Sequence, residues 1–384
     1  MRILGGIVLL LLVIAGVALA IIPGRVENAT NVNLEHDPYV IRPEIQALHN
    51  SLFVVDLHTD SLLWKRDLLK ESAIGHLDVP RMQQGNVAVQ VFSATTKSPE
   101  GQNYDSNTAD SDRITMLAMA SLWPVRTWDS IYERATFQLD KLKDFAAASE
   151  GELVLIESKE DFARFVDLRE QGENVIAAIY LIEGAHPLEG DLNKLDALYD
   201  QGLRIAGFTH FFDNLLGGSL HGVSQSGLTQ FGRDSLARMN ELGVIIDVAH
   251  ASPKMVGEIL DLSSEPVILS HGGMKGVCDQ GRNLDDALMQ RIAEQGGLVG
   301  IGYWAGAVCD VTPEGVVQNI RYAIDLLGVE HVALGSDYDG ATAVMFDTSE
   351  LAILTQVMVD EGFTEHEIRS VMGENAKRFF LEYL

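Results

Sequence analysis

The stretch "RDSLARMNELGVIIDVAH", residues 233–250, carries the fold in miniature. Its first half is a helix signal that stops at Gly243, a residue suited to a helix C-terminus. The apolar run Val244–Val248 follows at once, short enough to be a strand. Just beyond the run stands His250. A helix feeding a strand that is apolar on both faces is the repeating unit of a parallel sheet covered by helices.

Working outward, seven more runs repeat the theme: Leu52–Leu57, Val87–Phe92, Val175–Ile182, Leu203–Thr209, Pro266–Ser270, Leu298–Tyr303 and His331–Gly335. Helix signals alternate with them, as in "LDDALMQRIAEQGG" (284–297) and "TPEGVVQNIRYAIDLLG" (312–328), the latter with a Thr cap and a first-turn Pro. Eight strands alternating with helices predict a (β/α)8 TIM barrel, with a doubly wound open sheet as the alternative. The gap at 93–174 is long enough for two or more helices and part of a lid. Loops 93–130 and 211–226 are expected to shape the pocket. No linker, repeat or low-complexity tract interrupts residues 46–384, which read as one folded domain. Residues 23–45 lack periodicity and read as a polar tether.

The formal net charge is −27, from 55 acidic and 28 basic residues. That excludes the basic patches that nucleic acid or anionic lipid would require. Residues 1–22 include an uncharged run from Ile3 to Ile22, which at about 1.5 Å per residue spans roughly one bilayer core. It reads as a signal anchor, with a signal peptide cleaved after Ala18-Leu19-Ala20 as the rival. Either places the domain outside the cytoplasm. Cys278 and Cys309 are compatible with a disulfide or with two buried thiols.

The chemistry lies at the strand ends. Strand one ends in His58 and Asp60, strand three in Glu183, strand four in His210, strand five in His250, strand six in His271, and strand eight in Asp337 and Asp339. In a TIM barrel these ends build the active site. Any one His there could be a satisfied structural residue. Four, joined by carboxylates at the same end of different strands, point to a metal site. The donors suit divalent ions, zinc first, and are too many for one tetrahedral ion. Two Zn²⁺ would use them: His58 and Asp60 with Glu183, and His250 and His271 with Glu183 as the bridge. A hydroxide bridging the two ions would be the nucleophile for an amide or ester.

Asp337 is expected to accept the proton of the attacking water and pass it to the leaving amine. Asp339, in an Asp-Gly turn signal, is the lesser candidate. Arg282, in the loop after strand six, suits a substrate carboxylate, and His210 a carbonyl oxygen. Asp56 shares the alternation of His58 and Asp60 and is expected to orient a ligand from behind. Trp64 reads equally as core or pocket wall. Asp213 and Asn214 read as loop caps. His186 and His221 stand near the mouth without an evident role.

The motifs "VVDLHTDSLLW", "IEGAHPL", "FTHFFDN", "LGVIIDVAHASP", "PVILSHGG", "DQGRNL" and "GSDYDG", with the closing "VMGENAKRFF", resemble the membrane dipeptidase (renal dipeptidase) family of zinc peptidases over roughly residues 46–383. The resemblance implies a barrel with two zinc ions that hydrolyses dipeptides. It carries His58, Asp60, Glu183, His250 and His271 over as ligands, His210 and Arg282 as substrate-binding residues, and Asp337 as the acid–base group. It also implies tolerance of a C-terminal D-residue, a Cys278–Cys309 disulfide and a possible homodimer. Mammalian members are lipid-anchored at the C-terminus. Here the apolar segment is N-terminal and no hydrophobic tail precedes Leu384, so a bacterial type of anchoring is expected. Other hydrolases on this barrel, such as a deaminase, lactonase or N-acyl amino acid hydrolase, often use a carboxylated lysine as the bridge, and this chain offers Glu183 instead. A non-catalytic binding protein on a degenerate barrel would be expected to have lost a ligand, and none is missing.

Overall fold

The computed structural model describes Gly16, Leu19 and residues 21–384. Eight parallel strands follow one another around a closed barrel: β1 (Val54–Thr59), β2 (Val87–Ala94), β3 (Ile176–Ile182), β4 (Leu203–Gly207), β5 (Ile245–Asp247), β6 (Ile268–Gly272), β7 (Leu298–Ile301) and β8 (Val332–Leu334). Closure comes from Leu334 pairing with Asp56 and from a parallel bridge between Thr59 and Tyr338. All eight expected runs are barrel strands, and the open-sheet alternative is excluded. Their two-sided apolarity has the anticipated cause, since every residue of β1, β2 and β3 is buried.

One core layer lies between the strands and their helices, where Leu334 and Ile301 pack with Val316, Val317 and Ile320 of helix Pro313–Leu327. A second fills the barrel interior, where Val55, Leu57, Val91, Ile179 and Ile205 meet Phe162, Phe165, Phe379 and Phe380. The long β2–β3 connection holds helices Arg113–Ala120, Arg126–Asp129, Ile131–Ala148 and Lys159–Glu170. It also holds the strand Leu153–Leu155, which pairs with the first half of β3.

Two expectations are corrected. Asp56 pairs with Gln90, but Thr59 pairs with Phe92, so β1 carries one extra residue between them, a β-bulge. Asp56 therefore lies on the helix-facing side with Leu334, while Val55 and Leu57 join the interior core. Simple alternation had placed Asp56 on the face of His58 and Asp60. Its carboxylate instead accepts from Ser336 N at 2.8 Å, Ser336 Oγ at 2.6 Å, Gln90 Nε2 at 3.0 Å and His58 N at 3.3 Å. It ties the turn after β8 to the bulge in β1 and acts on the backbone rather than on an imidazole ring.

The stretch expected to be a tether is also built into the fold. Residues 21–30 are helical, and Val32–Asn33 runs parallel to Ala343–Val344 in the loop after β8. Glu27 is buried against Arg66, and the Asn31 side chain accepts from Ala341 N at 2.8 Å. Of the apolar run Ile3–Ile22, all but Gly16, Leu19, Ile21 and Ile22 lies outside the described residues. Among the described residues no helix is long and apolar enough to cross a membrane.

Candidate metal centre

The side chains expected at the strand ends converge. Glu183 follows β3, and its Oε1 lies 3.5 Å from His58 Nε2, 3.2 Å from His250 Nε2 and 3.5 Å from His271 Nε2. Its Oε2 lies 3.3 Å from His210 Nε2. Asp60 Oδ1 is 3.7 Å from His58 Nε2. Two sets of three residues, His58–Asp60–Glu183 and Glu183–His250–His271, each bring one ligand atom apiece within 4.8 Å of the others. Both are buried, and Glu183 is common to both.

The protonation pattern tests whether this donor set fits cations. Ser270 Oγ donates to Asp247 Oδ2 at 2.6 Å, so toward His271 Nδ1, 2.8 Å away, it is an acceptor. The ring proton of His271 therefore sits on Nδ1 and leaves a bare lone pair on Nε2. The same hydroxyl is 3.3 Å from His58 Nδ1. His58 Nε2 is buried without a hydrogen-bond partner. His250 Nε2 and His271 Nε2 face each other at 3.0 Å. A bare His271 Nε2, with His58 Nε2 and His250 Nε2 crowded beside the same buried carboxylate, forms a donor set that a divalent ion would satisfy by replacing the protons held there. Asp247 also lies within ligand distance of His58 and His271. Its oxygens are already engaged by Ser270 and by Ala249 N at 3.0 Å, which makes it a support rather than a ligand.

Burial pushes His250 and His271 well below the usual imidazole range, and the neighbouring Arg282 and His58 cations add to this. Burial would also lower His58, but Asp60, Glu183 and Asp337 outweigh it and raise that group to about 10. Burial raises Glu183, but His210 and His58 reverse the sign and hold it below its ordinary value. Asp337 is pushed well above the carboxylate range by burial, with Asp60 and Glu183 adding and His58 opposing.

Asp60, Glu183, His210, His250, Arg282 and Asp337 line one cavity of about 710 Å³. Asp337 and His250 both have positive φ, 59° and 62°, the kind of backbone outlier found at functional sites. A Cβ on Gly340 would lie 2.0 Å from Asp337 Oδ1, so this glycine makes room for that carboxylate. Asp339 has a different place. It accepts from Ser61 Oγ at 2.8 Å and His76 N at 2.7 Å, contacts Arg66, and lies outside the cavity. Arg282 is 1% exposed, donates to the His271 carbonyl at 2.7 Å and lies over the Trp304 ring. Among the described residues it has no carboxylate partner, an expensive state for a buried guanidinium without an anionic ligand.

Trp64 is both core and wall. It packs with Leu63, Ile114, Ala118 and Trp123, faces the cavity, and donates from Nε1 to the Asp339 carbonyl at 2.7 Å. His221 stacks on Phe211, and His186 pairs with Thr96 Oγ1 at 2.8 Å. Burial holds both near 3; the His221 ring packs edge-on against that of His250, with centroids 5.3 Å apart, and neither belongs to a ligand set. Cys278 and Cys309 form the implied disulfide, with Cα atoms 5.4 Å apart.

Sequence reasoning passed over Thr95, Asp247, Ser270 and Tyr104. Thr95 Oγ1 lies 2.8 Å from both Asp60 and Glu183 and joins the two ligand sets. Tyr104, from the lid, accepts from Trp304 Nε1 at 2.8 Å and lines the cavity. Thr95 alone had an available signal, one residue beyond the end of β2 at the same level as the other ligands.

Comparison with known proteins places this geometry. A family model described as membrane dipeptidase (peptidase family M19) matches residues 42–383. The chain is 28% identical over 343 residues to an uncharacterized dipeptidase of Schizosaccharomyces pombe, covering 85% of this chain and 79% of that one. It is 26% identical over 371 residues to dipeptidase 3 of Mus musculus, covering 88% and 66% respectively. A solved metallopeptidase structure, dipeptidase AC, superposes with a TM-score of 0.71 at 25% identity, covering 87% of this chain and 99% of that one.

Proposed function

This chain belongs to the membrane dipeptidase family, peptidase family M19, and on that premise we propose that it hydrolyses dipeptides with a free C-terminal carboxylate at a centre of two zinc ions. The observation that carries the reading is Glu183, one buried carboxylate shared by two ligand sets with three imidazole nitrogens aimed at its Oε1. His58 and Asp60 would hold one ion and His250 and His271 the other. Two such ions, when bound, would supply a water of lowered pKa as nucleophile and would polarise the scissile carbonyl.

The remaining steps fall to the chain's own groups. Arg282 binds the substrate carboxylate, and its fixation by the His271 carbonyl and the Trp304 ring sets where that carboxylate sits. His210, on the cavity wall beside Glu183, is placed to polarise the carbonyl oxygen as negative charge develops there. Asp337 accepts the proton of the attacking water and delivers it to the leaving amine. Burial, with Asp60 and Glu183 beside it, raises its proton affinity above that of an ordinary carboxylate, which helps it hold the proton between the two steps. Apolar walls from Leu63, Trp64, Phe211 and Trp304 exclude bulk water. The apolar run Ile3–Ile22 supports export, with the domain held at the outer face of a membrane.

Purified protein is expected to contain about two zinc ions per chain, as a two-metal site requires, and to split simple dipeptides. Amidating the substrate's C-terminal carboxylate should abolish turnover. Cleavage of the amide at a similar rate would remove the role given to Arg282, and a single bound ion would remove the shared-carboxylate centre. Parallel assays of L-Ala-D-Ala and L-Ala-L-Ala test the tolerance of a C-terminal D-residue that the family resemblance implies.

A further inference from the structure

Among the described residues, eleven large apolar side chains are exposed, and six of them stand on two segments at the cavity mouth. Ile21, Ile22 and Val26 come from the N-terminal helix, and Met116, Leu122 and Val125 from the lid segment between β2 and β3. Ile22, Val26 and Met116 line the same cavity as Asp60 and Asp337, which fixes both segments at one rim.

Leu122 shows that this exposure is built in. Trp123 N bonds back to the Ala118 carbonyl at 2.9 Å and Leu122 N to the Met119 carbonyl at 3.1 Å, closing helix Arg113–Ala120 with a turn that normally carries glycine at the Leu122 position. Leu122 takes a φ of 60°, a strained value for a bulky side chain, and is 61% exposed while Trp123 is buried. The chain holds a leucine outward where a glycine would relax the backbone.

The second observation is where the apolar run ends. Ile21 and Ile22 belong both to the run Ile3–Ile22 and to the rim. The chain after them is fixed to the barrel by the Glu27–Arg66 ion pair, by Asn31 and by the pairing of Val32–Asn33 with Ala343–Val344. A bilayer holding the run would therefore lie against this rim and no other face.

We propose that the catalytic mouth faces the lipid bilayer, with these six side chains seated in its interface. The proposal rests on the reading of residues 3–22 as a membrane segment. The occupant is the apolar boundary of the bilayer rather than anionic headgroups, because a chain of net charge −27 gains nothing from the latter. Hydrolysis would then take place at the membrane surface, and substrate would enter along it.

The test uses the full chain in phosphatidylcholine vesicles containing doxyl-labelled lipid. Both native cysteines are paired, so a thiol dye reports on an introduced cysteine alone. Leu122→Cys marks the rim. Leu262→Cys is the control, since Leu262 is 49% exposed at the last residue of helix Pro253–Leu262, which leads to the start of β6 at the opposite end of the barrel. The dye at position 122 should be quenched severalfold more than the dye at 262. Flotation with the vesicles but equal quenching at both positions overturns the orientation and leaves the anchor intact. Failure to float overturns both. Protection of position 122 by a second copy of the chain would appear as absent quenching and also overturns the proposal. Turnover of a soluble dipeptide by both labelled proteins keeps the catalytic reading separate from these outcomes.

Discussion

The two ends of the barrel interior have opposite chemistry. Toward the strand N-termini it is apolar, with Val55, Leu57, Val89, Ile179, Ile205 and Ile268 packed onto four phenylalanines from helices Lys159–Glu170 and Asn375–Tyr383. Toward the strand C-termini it holds His58, Asp60, Glu183, His210, Asp247, His250, His271, Arg282 and Asp337, each no more than 8% exposed. The first end gains free energy from burial, and the second loses it, because ionisable groups taken out of water need compensation. Stability and activity are thus assigned to different ends of the same strands, and the comparison can be broken from either side.

The largest effect is expected at the polar end. Asp337→Asn should retain metal and lower kcat by about 10²–10⁴-fold, the range for a lost acid–base group. Metal analysis beside the activity assay checks this, and loss of the ions would make Asp337 a ligand. Because its buried carboxyl is a burden on the fold, the variant should also melt no lower than the parent. At the apolar end the pattern reverses. Ile179→Ala, fully buried in the interior core, should cost about 2–5 kcal/mol of stability in denaturant titrations. Its kcat on a soluble dipeptide should stay near that of the parent. A comparable fall in kcat would mean that the two ends are not separable.

Between them lies the layer that holds the polar end in place. Ser270→Ala removes the acceptor that puts the His271 proton on Nδ1 and leaves Asp247 without its hydroxyl partner. Metal affinity should fall by about 10–100-fold, the usual cost of losing a group that orients a ligand histidine. Competition with a chelator measures it. An unchanged affinity would show that His271 finds its tautomer without help.

The same division explains what the sequence could disclose. Each strand was legible because burial on both faces demands an uninterrupted apolar run. Each ligand was legible because it stands at or just beyond the C-terminal end of such a run. The supports were not. Asp247 and Ser270 lie inside runs that otherwise read as strand, and their contact joins positions 23 residues apart. Ser336 reaches Asp56 across 280 residues. The bulge in β1 inverts the face of Asp56, and no periodicity announces one extra residue. Residues 21–34 escaped for another reason. Their order comes from partners in the chain's last quarter, with Val32 beside Ala343, rather than from any pattern of their own.

The smallest effect separates the two ion sites from each other. In the metal-free protein His58 stays protonated up to about 10, because Asp60, Glu183 and Asp337 outweigh its burial. Its folded value lies above the unfolded one of about 6.5, so the stability it lends is complete below that pH and is lost as pH rises through about 10. An ion at the His58–Asp60 site must displace this proton, so its affinity should rise by about tenfold per pH unit through that window. His250 and His271 are already held neutral by burial, so an ion at their site displaces nothing from them between pH 7 and 9. Zinc titrations at pH 7, 8 and 9 should therefore resolve one steep and one flat affinity. The metal-free protein should lose stability over the same interval in which its steep site gains affinity. Two equal slopes would mean that His58 is not the protonated partner, and that the carboxylates around it charge-balance a different imidazole.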